Sequence, residues 1–303
     1  MALLHQRSRP TELTDPSSDR GRPADRPRQR RNAGRSAVSY LILVLGCLAF
    51  LFPLAWLLST SLKSQDQILV YPIKWIPSPV KWSNYVDIFQ VAPFLRYFMN
   101  SVIITVFGVA GSLLGSSIAA YAFAKLRFPG RDLFFMIMLA TMMVPSWATL
   151  IPSYVMFAKI GWTDTFLPIL VPAFFAAPFN TFLLRQFFLS VPDELDEAAR
   201  IDGCGKASIF LRIILPLMVP ALATTTIFTF IWTWNDFFSQ LIYLTDPHMY
   251  TVPVALRSFV DSTSSSSWGS MFAMSVVSLV PVFLAFLLGQ RFLIKGIATT
   301  GIK

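Results

Sequence analysis

A charged stretch separates two long apolar runs, and it reads Ser190 Val191 Pro192 Asp193 Glu194 Leu195 Asp196 Glu197 Ala198 Ala199 Arg200 Ile201 Asp202 Gly203. Pro192 suits the first turn of a helix, where its missing N–H is no loss, and Ser190 with Asp193 is typical of a capping box. Asp196 and Arg200 have the i,i+4 spacing of a favourable ion pair. A helix is therefore predicted to begin near Pro192.

Two glycines predict a bend after this helix. Gly203 and Gly205 are expected to take left-handed conformations, which end one helix and allow a second to begin near Lys206. The first helix has one narrow face, formed at positions i, i+3, i+4 and i+7 by Leu195, Ala198, Ala199 and Asp202. Because two of these side chains are methyl groups, the backbone of another protein can come close. The stretch is interpreted as a docking surface, with an ordinary amphipathic surface helix as the alternative.

The composition indicates a membrane protein. Of the 303 residues, 54% are hydrophobic and 14% are charged, compared with about a quarter charged in soluble domains. Six apolar runs are each long enough for the roughly 20 residues that a spanning helix needs, and they lie at 38–60, 98–123, 132–156, 165–187, 214–237 and 269–292. The predicted fold class is an all-α polytopic membrane protein with six transmembrane helices.

Basic residues predict the orientation in the membrane. With the N terminus inside, nineteen Lys and Arg lie on the cytoplasmic side and six lie outside, which follows the positive-inside rule. Both termini and the docking stretch are therefore predicted to be cytoplasmic. The predicted segments are a disordered basic tail (1–36), a first transmembrane helix (37–60), an external loop (61–97), a core (98–292) that contains the docking loop 188–217, and a C-terminal tail (293–303).

Two polar regions each have two possible interpretations. Residues 1–36 carry nine Arg against four acids, so this tail either is attracted to an anionic lipid surface or only fixes the inside orientation. The loop between the fifth and sixth spans contains Asp246 and, after Asp261, a serine run. That loop either touches an external delivery protein or is a plain connector.

The docking stretch carries a spaced motif that continues beyond it. The order is E-A-A-x3-G-x9-I-x-L-P, and it is formed by Glu197, Ala198, Ala199, Gly203, Ile213, Leu215 and Pro216. It resembles the signature of the integral membrane subunits of binding-protein-dependent ABC importers, with every signature position matched. The ending, from Gln290 to Lys303, is similar to that of the sugar-importing branch, especially its maltose-type second permease.

This resemblance implies a type I ABC importer permease fold and uptake of a sugar or sugar-like solute across the prokaryotic cytoplasmic membrane. The implied partners are a second homologous permease, which the first span wraps, a cytoplasmic ATPase dimer, an external solute-binding protein and the carbohydrate. The chain is then not an enzyme, since ATP and Mg are expected on the ATPase; no cofactor and no nucleic acid are expected on this chain. The C-terminal tail is expected to reach the ATPase. The residues implied to couple to the ATPase are Glu197, Ala198, Ala199, Asp202, Gly203, Leu215 and Pro216.

Two spans carry residues suited to a solute pathway. The fourth contains Pro168, Pro172 and Pro178, and each proline removes a backbone hydrogen bond that lipid cannot replace, so the broken side should face protein or a water-filled cavity. In the fifth span, a tryptophan stacked on a sugar ring, with Asn or Asp binding the sugar hydroxyls, is interpreted as a substrate contact. The alternative is that the tryptophans mark the membrane interface and the threonines bond back to their own helix. Gly111 and Gly115 of the second span form G-x-x-x-G, which favours close helix packing. The candidate pathway residues are Asn180, Trp232, Trp234 and Asn235.

Features of other protein classes are weak in this sequence. Ionisable residues are missing from the span centres, whereas an ion-coupled carrier normally buries them, and no nucleophile with its base is visible. The glycines at 203–205 imitate a phosphate loop only faintly, since Arg200 stands where glycine is required and Ala207 where Ser or Thr is required. Two isolated histidines do not form a metal site. An ion-coupled secondary carrier and a non-transporting membrane scaffold for an ATPase are the alternative functions.

Overall fold

The computed structural model describes residues 33–262 and 268–300, and all the regular structure in them is helical. The predicted all-α fold class agrees with this. The predictions for residues 1–32, for the serines within 263–267 and for the side chains of the C-terminal tail lie outside the described residues. The chain divides into two compact units, Met1–Pro53 and Leu54–Lys303.

The helices follow the apolar runs, with short helices in the connections. Their bounds are α1 Ala33–Ser61, α2 Gln65–Ile68, α3 Asn84–Val91, α4 Phe94–Lys125, α5 Arg131–Ala140, a 3-10 turn Thr141–Met143, α6 Ser146–Lys159, α7 Leu167–Ala173, α8 Pro178–Ser190, α9 Asp193–Ile201, α10 Lys206–Ser208, a π-helix Ile209–Ile214, α11 Leu215–Leu217, α12 Val219–Trp234, α13 Phe238–Tyr243, a 3-10 turn Pro247–Met249, α14 Val252–Ser262 and α15 Trp268–Thr300.

Four of the predicted spans are long apolar helical segments. They are Val38–Ser61, Phe94–Lys125, Leu167–Ser190 and Trp268–Phe292, and they correspond to the first, second, fourth and sixth predicted spans. The side chains of Val38–Ser61 are largely exposed within this chain. Apolar exposure of this kind is what lipid or another membrane subunit covers.

The third and fifth predicted spans are each formed by two helices that meet at a bend. Residues Arg131–Met143 and Ser146–Lys159 meet at 97°, and Lys206–Leu217 meets Val219–Trp234 at 77°. The first bend has a local cause, because Val144 is extended before Pro145 and the residue before a proline is disfavoured in helical conformation. The described residues therefore contain four to six candidate spans, according to whether each bent pair is counted as one span.

Two side-chain amides, those of Gln67 and Asn84, hold the segment that follows α1. Asn84 Nδ2 donates to the carbonyl oxygens of Ser61 and Lys63, both at 2.9 Å. A Cβ at Gly269 would lie 2.6 Å from the same Nδ2, so the start of α15 packs here only because position 269 has no side chain. The Asn84 amide thus joins Ser61, at the end of α1, to the start of α15.

The break between α7 and α8 packs against α4, as the prolines and the G-x-x-x-G pair predicted. A Cβ at Gly111 would lie 2.6 Å from the Phe174 ring, and a Cβ at Gly115 would collide with the Phe174 carbonyl. Ser116 Oγ accepts the N–H of Ala177 at 3.2 Å, which supplies a partner at the broken turn. The two predictions, close approach at the glycines and a break that faces protein, are confirmed.

Candidate functional site

The docking stretch forms α9, but its start differs from the prediction. Pro192 is the N-cap residue and no side chain caps the helix. Ser190 is the last residue of α8, and its hydroxyl donates to Phe187 O at 2.7 Å. The predicted Ser190–Asp193 capping box is therefore wrong, because Ser190 still belongs to the preceding helix.

The bend after α9 depends on one glycine rather than two. Gly203 has φ +82°, a left-handed conformation that disfavours any side chain. Gly205 has φ −75° and ψ 159°, an extended conformation, and it caps the start of α10. The left-handed prediction is confirmed at Gly203 and wrong at Gly205.

The inner side of α9 is buried in this chain. Ala199 is 5% exposed and packs in a cluster that also contains the buried Ala120, Tyr121, Leu184, Phe188, Ile209, Ile214, Met218 and Ala221. The sequence placed Ala199 on the docking face beside Ala198, and the structure corrects this: Ala198 is exposed and Ala199 points inward. Ala199 is a small residue because α9 lies directly on its own core.

A lysine from another span fastens the beginning of α9. Lys125, the last residue of α4, donates from Nζ to Val191 O at 2.6 Å and to Asp193 Oδ1 at 2.5 Å. The same Nζ lies 3.6 Å from Asp196 Oδ2. We call these four residues the Lys125 clasp. The predicted ion pair of Asp196 with Arg200 is wrong, because Lys125 reaches Asp196 instead.

The clasp combines one exposed and one buried acid. Asp193 is largely exposed, and the hydrogen bond from Lys125 holds the pKa of Asp193 below its ordinary value. The side chains of Lys125 and Asp196 are 4% and 8% exposed, and Asp196 Oδ1 has no hydrogen-bond partner in the described residues. A buried carboxylate with an unused oxygen depends strongly on its cation.

The outer side of α9 is exposed and mixes acidic with apolar groups. Glu197, Ala198 and Asp202 are exposed. Leu195 is 40% exposed and Ile201 is 87% exposed. Sequence reasoning did not select Ile201, although an isoleucine just before the turning glycine of a charged helix was a signal. Such an exposed apolar residue on a surface helix is suited to a partner contact.

The second half of the motif leads from the bend into α12. Ile213 lies in the π-helix, and Leu215 with Pro216 begins α11. Met218 follows and is buried in the same cluster as Ala199, where the chain turns by 77° into α12. The motif therefore joins the surface helix to a membrane helix through buried contacts.

A cavity of about 730 Å³ lies between α6, α7 and the junction of α12 with α13; we call it the α6–α12 cavity. Of the four pathway candidates, Trp232 lines it. Trp232 is half exposed and has its edge against Phe179, with ring centroids 5.1 Å apart. The polar residues of the lining that are not among the four candidates are Ser146, Thr149, Ser153, Thr233, Asp236, Ser239 and Tyr243.

The other three candidates lie elsewhere. Trp234 is buried and donates from Nε1 to Ser278 O of α15 at 3.1 Å, so its pathway role is not supported. Asn235 is exposed and donates to Ile231 O at 2.8 Å, within its own helix end. The position of Trp234 follows from the helix, since residues two apart point to nearly opposite sides.

Asn180 lies at the meeting point of three helices. Its Nδ2 donates to Ser112 Oγ of α4 at 2.8 Å and to Thr229 Oγ1 of α12 at 2.9 Å. The residue is 3% exposed, and its Oδ1 has no partner in the described residues. Asn180 thus connects α8 to its two neighbours, and it is not a lining residue of the α6–α12 cavity.

The threonines of α12 follow the alternative interpretation. Thr224, Thr225, Thr226 and Thr229 each donate to the carbonyl four residues earlier, at 2.7–3.0 Å. Such bonds satisfy a hydroxyl inside an apolar helix. In the described part of the chain, His, Cys, Asp and Glu form no group of three that could hold a metal ion.

The fold and the docking segment define an integral membrane subunit of several spans, with an amphipathic helix fixed to its core beside the spans. Residues 111–297 match the family model "Binding-protein-dependent transport system inner membrane component". The chain belongs to this family, and it is therefore a multi-pass inner-membrane protein.

Relatives of this chain match over most of their lengths. It is 33% identical to the probable ABC transporter permease protein YurM of Bacillus subtilis, over 92% of each chain. It is 32% identical to the sn-glycerol-3-phosphate transport system permease protein UgpE of Yersinia enterocolitica, over 87% of this chain and 96% of UgpE. It is 34% identical to the arabinooligosaccharides transport system permease protein AraQ of Halalkalibacterium halodurans, over 83% and 91%.

A solved structure has the same fold. A chain of a bacterial ABC transporter involved in the import of the acidic polysaccharide alginate superposes with a TM-score of 0.77, at 28% identity, over 86% of this chain and 97% of that chain. The predicted ABC importer permease fold is confirmed by this match.

Proposed function

We propose that this chain is the permease subunit of an ATP-driven importer that translocates a sugar or sugar-like solute delivered by an external binding protein. The names of the relatives support the solute class, since they specify sn-glycerol-3-phosphate and arabinooligosaccharides, and the similar solved structure imports alginate. The observation that carries the proposal is α9, whose inner side is anchored in this chain's core while its outer side is exposed.

The outer side of α9 is the proposed contact with the ATPase. Glu197 and Asp202 offer carboxylates to basic groups, and Ala198 allows a close approach. Leu195 and Ile201 add exposed apolar area, and burial of such area stabilises an interface by roughly 25 cal/mol per Å² before the costs of association. ATP and Mg belong to that separate ATPase dimer, and a second homologous permease completes the membrane part.

The inner side of α9 transmits the movement. Closure of the ATPase dimer displaces α9, and the displacement reaches α4 through Lys125 and the buried cluster through Ala199. Gly203 keeps the turn, while Leu215 and Pro216 connect it to α12. Such a lever works only if the interaction of α9 with the ATPase differs between the two states of the transporter.

The membrane orientation follows from the basic residues. With nineteen Lys and Arg inside and six outside, both termini and α9 face the cytoplasm. The external segment that holds Asn84 then faces the binding protein. α9 then lies on the cytoplasmic side of the membrane, where ATP is available.

The α6–α12 cavity is the proposed contribution of this chain to the solute pathway. Its volume of about 730 Å³ lies within the range of roughly 300–1,000 Å³ typical of ligand sites. Trp232 offers an aromatic face to a sugar ring. Asn180 bonds to α12, the helix that carries Trp232, and Asn235 is the chain neighbour of the cavity residue Asp236.

The test is copurification of the tagged chain in mild detergent, followed by measurement of ATP hydrolysis with and without sugar-loaded binding proteins. We expect an ATPase and a second permease to copurify, and one loaded binding protein to raise hydrolysis. Isolation of the chain alone, with uptake that depends on an ion gradient, would favour a secondary carrier. A complex whose ATP hydrolysis no loaded binding protein changes would favour the scaffold.

A further inference from the structure

The residues that line the α6–α12 cavity indicate whether it suits a charged or an uncharged solute. The cavity has sixteen lining residues, of which one is acidic and none is Lys, Arg or His. The acidic one is Asp236. The relatives and the solved structure include systems for an anion and for an acidic polysaccharide as well as for uncharged arabinooligosaccharides, so the charge of the lining is informative.

Asp236 is available to a solute. It follows the end of α12, and its Oδ1 accepts the N–H of Ser239 at 3.3 Å. In the described residues no Lys or Arg lies within 4.0 Å of its carboxylate. A carboxylate has about four lone-pair sites and accepts only. Its remaining acceptor sites suit solute hydroxyls, which donate.

One face of α6 adds hydroxyl groups to the same cavity. Ser146, Thr149 and Ser153 are spaced i, i+3 and i+7, which puts them on one side of the helix. Thr149 Oγ1 donates to Ser146 O at 3.0 Å, so its lone pairs stay available as acceptors. The α6 part of the lining therefore offers small neutral groups.

Aromatic rings complete the lining. Trp232 contributes its half-exposed indole, and Tyr243 contributes a ring whose centroid lies 5.5 Å from that of Phe157, edge to face. Rings with a few placed polar groups are typical of sites for solutes that have both apolar faces and hydroxyls. A phosphate or carboxylate here would meet the Asp236 charge with no Lys, Arg or His among the lining residues, and like charges close together oppose binding.

We propose that the transported solute is a saccharide without phosphate or carboxylate groups, and that it occupies the α6–α12 cavity with its hydroxyls donating to Asp236. This inference rests on the proposed importer function. The carboxylate attracts donors and excludes anions, so it sets the charge class of the solute. The hydroxyls of α6 and the rings accept a neutral sugar of variable length.

The first experiment measures the solute class in the copurified complex. ATP hydrolysis is assayed with the cognate binding protein loaded with maltotriose or arabinotriose, and separately with trigalacturonate or glycerol 3-phosphate. We expect stimulation by an uncharged saccharide only. Stimulation by an anionic solute alone overturns the charge class while the importer function stands, and stimulation by none of them removes the importer function and this inference together.

The second experiment reads the cavity without transport. A Ser153→Cys variant is prepared in the complex with Cys47→Ser and Cys204→Ser, and its labelling by a hydroxyethyl and by a sulfonatoethyl methanethiosulfonate is timed. Relative to a free thiol, we expect the anionic reagent to react at least about fivefold more slowly than the neutral one, and Asp236→Asn to remove most of this difference.

The control for the labelling is Asp87→Asn, which changes a partly exposed carboxylate of α3 that pairs with Lys81 outside this cavity. This variant should leave the labelling ratio at Ser153→Cys unchanged. If the two reagents label Ser153→Cys in the same ratio whether position 236 is Asp or carries Asp236→Asn, then Asp236 does not set the charge of the cavity. That result would overturn the inference whatever the transport result.

Discussion

Replacement of Lys125 by methionine should release α9 from α4 while leaving the transmembrane helices folded. The substitution keeps the aliphatic length but removes the Nζ contacts with Val191 O, Asp193 Oδ1 and Asp196 Oδ2. Asp196 is then a buried carboxylate without a cation. Because Ala199 still packs in the core, we expect local opening of α9 rather than loss of the fold.

The magnitude follows from the burial of the two partners. Removal of one member of a buried ion pair typically costs about 3–5 kcal/mol, whereas an exposed pair such as that with Asp193 contributes about 0–1 kcal/mol. A polar cavity of about 420 Å³, lined in part by Lys125 and Asp196, admits water and reduces the cost. We therefore expect the opening free energy of α9 to fall by about 2–3 kcal/mol.

Amide hydrogen exchange in the detergent-solubilised complex measures this opening. A loss of about 2–3 kcal/mol corresponds to roughly 30- to 150-fold faster exchange of the α9 amides, and the α4 amides should change little. Asp193→Asn should have a small effect, and Asp196→Asn combined with Lys125→Met should recover much of the protection, since the unpaired charge is gone. Less than twofold faster exchange in Lys125→Met, or no recovery in the double variant, would refute the reasoning.

Three further perturbations test α9, its buried face and the contact between Asp164 and Thr245. Gly203→Ala should cost about 1–2 kcal/mol of stability, because the φ of Gly203 is +82°, whereas Gly205→Ala at φ −75° should cost little. A Cβ at either position would have no atom within 4 Å, so the two variants differ in backbone strain and not in steric contacts. Thermal unfolding compares them. Ala199→Leu should destabilise the core by roughly 1–3 kcal/mol through overpacking. Ala198→Leu should leave the unfolding temperature unchanged and reduce the ATP hydrolysis that the binding protein stimulates. Equal unfolding temperatures for the two variants would contradict the buried face assigned to Ala199 and the exposed face assigned to Ala198. The pKa of Asp164 is lowered, chiefly by the Thr245 hydroxyl and then by the Asp246 N–H. The stabilisation that Asp164 contributes should therefore be complete above the ordinary aspartate pKa and be lost as the pH falls through the lowered value. Unfolding of the wild type and of Asp164→Ala, measured against pH, checks the sign, since the two stabilities should converge only at the acid end.

The sequence predicted the features of α9 that depend on neighbouring residues. A helix that starts near Pro192 and ends before Gly203 follows from local rules, and the structure has both. The cation of Asp196 was not predictable in this way, because Lys125 belongs to another span and the i,i+4 rule ranks only residues of the same helix. Tertiary contacts of this kind need the packing of α4 against α8 and α9.

The directions of helices and side chains were harder to predict than the positions of the helices along the chain. Hydropathy located the third and fifth spans, but an apolar run does not report the angle at which its two halves meet, so the bends of 97° and 77° were missed. Trp232 and Trp234 were equivalent in the sequence. The structure separates them because α15 supplies the acceptor Ser278 O on one side of α12, whereas the α6–α12 cavity lies on the other.

The amide of Asn180 has a mechanical consequence. One side chain bonds to α4 through Ser112 and to α12 through Thr229. All three side chains are buried, so water is no ready substitute for these bonds if the helices separate. The three helices should then travel as one block during each transport cycle. The bend at Met218, where α12 begins, is then the expected joint around which the block turns.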